Sequence, residues 1–161
     1  MQLLYDTLKK LIGLHEELIQ ISNHKTEEIK QGDMDKLSKL LMQERKQIQA
    51  ITQTETKRQS IVDDFFTNKG AHDKEQTMSN LLVLIDHDDE KQQVELLVST
   101  LVDTIVELRQ VEQLNKELME QSMQFVQLSL DMLQPSIQRM NYDGKQNVQK
   151  STKQSVFDSK A

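Results

Sequence analysis

Apolar side chains recur along this chain at spacings of three, four and seven residues. Leu4, Leu8, Leu11, Leu18, Ile21 and Ile29 share one helical face. This periodicity predicts a first helix over residues 2–30. Gly32 then suits the left-handed conformation that closes a helix, and the Asp33 carboxylate can accept amide hydrogens at the start of the next one. A turn this short joins antiparallel neighbours, so residues 2–66 read as a helical hairpin. Its second helix, 34–66, directs Leu37, Leu41, Ile48, Ile51, Val62 and Phe65 inward. Glu44, Glu55 and Arg58 fall in the same series, either solvated at the edge of the seam or paired across it.

Residues 67–77, with Asn68, Gly70 and Asp73, read as a loop, and the apolar stretch 78–85 as a short helix. Asp86 to Asp89 provide capping oxygens and negative charge for the start of another helix. From Glu90 to Gln134 there are 45 residues without proline or glycine, 20 of them Val, Leu, Ile, Met or Phe. The expectation is one long helix, 89–134, ended by Pro135, the only proline. Its main apolar row runs Val94, Leu97, Val98, Leu101, Ile105, Leu108, Val111, Leu114, Leu118, Phe125, Leu128 and Met132. A second row, Met119, Met123, Val126, Leu130 and Leu133, appears only in the last four turns, about 100° around the helix from the first. Traced backward it meets Lys116, Glu112 and Arg109. At 1.5 Å per residue this helix is about 67 Å long against about 45 to 50 Å for the other two, so part of it lacks an intramolecular partner. Length does not fix which end that is; the doubled row favours the carboxyl end.

The architecture is therefore all-α: an elongated antiparallel bundle of three long helices plus a short one. Residues 1–134 form the helical domain and 135–161 a flexible polar tail, expected to be disordered. No alternation of apolar and polar positions suggests a strand.

Composition narrows the functional classes. The net charge is −6 and 29% of residues are charged. The tail holds five basic residues against Asp143 and Asp158, so the chain before it is the acidic part. An acidic body without a basic stripe or interleaved aromatics argues against nucleic acid as a partner. Membrane insertion is not expected either, because no uncharged stretch approaches the roughly 20 apolar residues a span needs. Met1 to Leu11 carries Asp6, Lys9 and Lys10 in a helical pattern and does not resemble a targeting signal, so the expected location is cytoplasmic. There is no cysteine, which removes thiol chemistry.

Catalytic signatures do not emerge. His15 lies in the inner series of the first helix and reads as a satisfied boundary histidine. His24 stands near a helix end. His72 and His87 neighbour acidic residues without the i, i+4 spacing of a helical metal site. Gly13, Gly32, Gly70 and Gly144 are isolated, so no phosphate-cradling loop exists. A non-enzymatic protein without cofactor or metal is expected. The apolar end of the long helix instead suggests a surface for another helix, and its methionines give it the adaptable character of a binding face. A self-associating structural coiled coil, with Met119 to Leu133 forming a homodimer seam, is the rival reading; a phosphotransfer helical domain centred on histidine is a third.

The stretch Leu114 to Val126, LNKELMEQSMQFV, resembles the carboxyl-terminal helix of FlgN-type flagellar export chaperones at Asn115, Leu118, Ser122 and Phe125. The Gly32-Asp33 turn with Leu37, Leu40 and Glu44 resembles that family's hairpin. Tyr142 and Gly144 resemble its tyrosine-glycine tail element, with the glycine set closer to the tyrosine than in the family pattern. The resemblance implies a cytoplasmic chaperone that holds the hook-filament junction proteins FlgK and FlgL unassembled and delivers them to the export gate, the cytoplasmic domain of FlhA. Client contacts are then expected at Asn115, Leu118, Met119, Ser122, Met123, Phe125, Val126, Leu130 and Leu133, and a gate or tail contact at Tyr142 and Gly144.

Overall fold

The computed structural model describes residues 1–71 and 73–150, with side chains as far as Leu133. Four helices follow one another: α1 (Gln2–Gln31), α2 (Met34–Asn68), α3 (Met78–Leu84) and α4 (Asp88–Lys150). No strand occurs among the described residues. The chain divides into a first compact unit, Met1–Leu118, and a second that begins at Met119.

The α1–α2 turn forms as its residues dictate. Gly32 takes φ 73°, and its N–H donates to the carbonyls of Glu28 and Ile29, closing α1. Asp33 is extended and accepts from the Lys36 N–H at 3.0 Å, satisfying one of the amides left open at the start of α2. Thr77 caps α3 in the same way, through the Asn80 N–H.

The apolar core of the first unit lies where all four helices meet. Leu4, Tyr5 and Leu8 of α1, Val62 and Phe66 of α2, Leu81 of α3 with the adjoining Ile85, and Val94 of α4 form one buried cluster with Ala71. Val94 is completely inaccessible. The Tyr5 hydroxyl donates to the Glu90 carbonyl at 3.3 Å, joining the start of α1 to the start of α4. Further along, α1 contributes Leu11, Ile12, Leu18, Ile19 and Ile29, so the expected inner face holds except at Ile21, which is only half-buried.

Three expectations are corrected. On α2, Leu41 and Ile48 are about half exposed, while Glu44, Gln47 and Thr54 turn inward. Two helical series pass through Leu37, and the more polar one wins because its groups find partners. Gln47 donates to the Leu14 carbonyl and to Glu17, and the Thr54 hydroxyl donates to the Ala50 carbonyl. Asp86 does not serve the start of α4; it pairs with Lys69 across the loop. Finally, α4 does not end at Gln134 but continues past Pro135 to Lys150. Proline lacks one amide hydrogen but has a helical φ, so a helix can continue through it at the cost of one backbone bond and of the ring's crowding against the carbonyl four residues earlier. Residues 151–161 of the expected tail lie outside the described residues.

Candidate functional site

Of the four histidines, His15 is satisfied within its own helix, its Nδ1 lying 2.7 Å from the Leu11 carbonyl. His24 and His87 are exposed, and His72 lies outside the described residues. Among the described residues no three His, Asp or Glu side chains converge as a metal site. A cleft of about 320 Å³ between α1 and α2 is walled by Leu3, Thr7, Ala50 and Thr54, with Asp6, Lys10, Gln53 and Lys57 beside them. The two threonine hydroxyls there donate to the carbonyls of Leu3 and Ala50.

The most polar interior lies where α1, α2 and α4 meet beyond the apolar core. Lys25, only 5% exposed, sends its ammonium to Glu44 of α2 at 2.6 Å and to Glu112 of α4 at 3.0 Å. Ser22, wholly buried, donates to the other oxygen of Glu112. One turn later the Thr26 hydroxyl donates to Asn115 Oδ1 at 2.6 Å, and Asn115 Nδ2 donates to the Ser22 carbonyl at 2.9 Å. Glu44 thus resolves as a pair across the seam. Glu55 and Arg58 pair with each other within α2 and remain partly solvated. That local pair lowers the Glu55 pKa, first through the Arg58 hydrogen bond, and raises that of Arg58 for the same reason.

This network reassigns Asn115. Expected to meet a client, it is 3% exposed and committed to α1. A buried amide with these bonds fixes the register of α4 against α1 and presents nothing outward. The spacing that makes Asn115 part of a family-like motif is equally the spacing of an interior position, and sequence alone does not separate the two. Ser22, Lys25 and Thr26 carried no signal as a set, because their meaning depends on residues nearly ninety positions away.

From Met119 onward the picture changes. Leu118 is half-buried, but Met119, Met123, Phe125, Val126, Leu130 and Leu133 are all exposed, from 44% at Met119 to 71% at Phe125. Leu128 and Met132, assigned from sequence to the bundle row, are exposed as well and enlarge the face. By helical geometry Met119, Met123, Val126, Leu130 and Leu133 line one side and Phe125, Leu128 and Met132 the other, roughly 150° apart. Ser122 and Ser129, an exposed and a half-buried position, fall between the two rows. Of the ionisable residues of this stretch, Glu117, Glu120 and Asp131 fall on the opposite side of the helix by the same geometry, while Lys116 stands at the start of the Met119 row. Gln113 bonds to Glu117 and Gln127 to Asp131 along that polar back. Tyr142 and Gly144 stand on the helical backbone further along, and the Tyr142 side chain lies outside the described ones.

An uncharged face this broad on one helix is suited to holding another apolar surface. The model of the FlgN protein family matches residues 1–150. The chain belongs to the FlgN family. Its similarity extends to YvyG of Bacillus subtilis (strain 168), described as an uncharacterized protein, at 36% identity over 158 residues, or 97% of this chain and 96% of YvyG. No solved structure matches. FlgN-family membership brings a general flagellar export-chaperone role, which is a binding role and not an enzymatic class. No helix among the described residues is long and apolar enough to cross a membrane.

Proposed function

We propose that this FlgN-family protein is a cytoplasmic chaperone of flagellar type III export. Its face from Met119 to Leu133 binds the terminal amphipathic helix of the hook-filament junction proteins FlgK and FlgL. Binding covers the surface through which those clients join one another, so they stay unassembled until they reach the export gate formed by the cytoplasmic domain of FlhA. The observation that carries the reading is the run of eight large apolar side chains, all exposed, in a stretch covered by the family match. Contiguous apolar surface of this kind marks an interaction site, and an exposed helix face is a standard receptor for an amphipathic helix.

Magnitudes fit a carrier that must let go. Covering side chains already half in contact with their own helix returns on the order of 10 kcal/mol gross. The freedom lost on association costs about 4–15 kcal/mol, so the net affinity is moderate. Client can then be passed on without an energy source acting at this face.

Calorimetry with the carboxyl-terminal segments of FlgK and FlgL tests the reading. Met123→Asp and Val126→Asp are expected to abolish binding while leaving the thermal melt unchanged, since both side chains are exposed in the free protein. Unaltered affinity in both variants would remove the client face. The same face could instead pair with a second copy, and sedimentation separates the two: a tight homodimer unaffected by client favours the self-associating alternative. A gate contact at Tyr142 and Gly144 is a separate part of the proposal, checked by loss of FlhA cytoplasmic-domain binding in Tyr142→Ala with FlgK affinity retained.

A further inference from the structure

Within the first unit, α4 packs along positions seven residues apart: Val94, Leu101, Leu108 and Asn115. The first and last of these are buried and the middle two partly so. Each is flanked by a pair three and four residues on, Leu97 with Val98, Thr104 with Ile105, and Val111 with Glu112. Helix α1 runs parallel along this seam, as the bonds from Tyr5 to Glu90, Ser22 to Glu112 and Thr26 to Asn115 show. The same spacing carried forward along α4 reaches Ser122 and Ser129. Their flanks are Leu118 with Met119, Phe125 with Val126, and Met132 with Leu133.

The seam spacing therefore continues past the last residue that α1 engages, with a changed composition. Its central positions become small, and its flanks, which include Thr104 and Glu112 in the first unit, become large and apolar throughout. We propose that Ser122 and Ser129 are the specificity determinants of the client face: each is a hole that receives a large apolar side chain from one amphipathic helix, whose anchors recur every seven residues. The inference rests on the reading of Met119 to Leu133 as the client face.

Two physical features support it. A helix seated over small residues approaches its partner more closely, and large flanking side chains then enclose it on both sides as in knobs-into-holes packing. Burying a serine under an apolar partner is costly when its hydroxyl is left unsatisfied. The Ser129 hydroxyl already donates to the Phe125 carbonyl of its own helix at 2.8 Å, so covering it strips away no necessary water. The absence of charge from the seam positions between Leu118 and Leu133 leaves shape as the means of discrimination.

Shape and mere stickiness predict opposite responses to added bulk. The probe is the FlgK carboxyl-terminal segment, titrated calorimetrically into the full-length chain carrying Ser122→Leu with Ser129→Leu, Ser122→Gln with Ser129→Gln, or Ser122→Ala with Ser129→Ala. Filled holes should weaken binding by about 10-fold or more in the leucine and glutamine pairs, the scale of overpacking a fitted interface. The alanine pair should match the unsubstituted chain, and circular-dichroism melts should coincide for all four proteins. Equal or tighter binding by the leucine pair, with normal binding by the unsubstituted chain, overturns the hole geometry and leaves the client face standing. A ratio of two client helices per chain overturns the single-helix seat. No binding by the unsubstituted chain overturns the client face and this inference together.

Discussion

At the scale of single residues, Lys25 and Asn115 carry the interior polar network, and both bind α4 to α1 at positions an apolar side chain could occupy. One ammonium serves two carboxylates, so removing it leaves Glu44 and Glu112 facing each other without a counter-charge. Breaking a fully buried pair costs about 3–5 kcal/mol, and the partial exposure of Glu112 brings the expectation for Lys25→Met to about 2–3 kcal/mol. Urea denaturation should register it as a lower midpoint at unchanged slope. Asn115→Leu should cost about 1–3 kcal/mol, because Thr26 and the Ser22 carbonyl lose their partner in a buried place. Its affinity for the FlgK segment should stay within about twofold, well under the 1.4 kcal/mol that a tenfold change represents. A large loss of affinity in a variant with a normal melt would return Asn115 to the client face.

At the scale of elements, the α1–α2 turn and the polar side of α2 determine how the hairpin closes. Gly32→Ala places a β-carbon at φ 73° with open space around it, so the penalty is conformational and about 1 kcal/mol. The expected result is a lower melting temperature with no change in helix content. The Asp33 carboxyl is held below its ordinary pKa, chiefly by the Lys36 backbone N–H, and Asp86 is held below its own by Lys69. Depressed folded-state values mean that both groups favour the fold when ionised. Their contribution is complete above the unfolded carboxylate range near pH 4 and is lost as the pH falls through the lower folded values. Melts recorded from neutral to acid pH should show this decline, and Asp33→Asn, which keeps a capping oxygen but cannot titrate, should make it shallower. An identical acid limb in that variant would exclude the cap as a contributor.

For the whole molecule, the division of labour lies along α4. Its residues in the first unit share a core with α1, α2 and α3; those from Met119 to Leu133 carry as much apolar character and leave it exposed. Because the ionisable groups of the latter stretch lie on its polar back, affinity for the FlgK segment should change by less than about twofold between low and high salt. Screening acts on charge and leaves apolar burial largely intact. A steep fall in affinity with salt would show that charges outside this face dominate recognition.

Much of this protein is legible in its sequence. Helical periodicity gives all four helices, because burying one face of each is the dominant favourable term and leaves a repeating trace. Gly32 and Asp33 mark their turn through backbone requirements that do not depend on distant residues. Pro135 misleads as a stop, because its local preference states a cost and not whether the helix bears it. Only the tertiary structure chooses between the two series on α2, buries Lys25 and Asn115 and exposes Leu128 and Met132. Polar groups become interior when partners from other helices satisfy them, and an apolar row stays exposed when no neighbour covers it. Neither condition is contained in the spacing of residues along one helix.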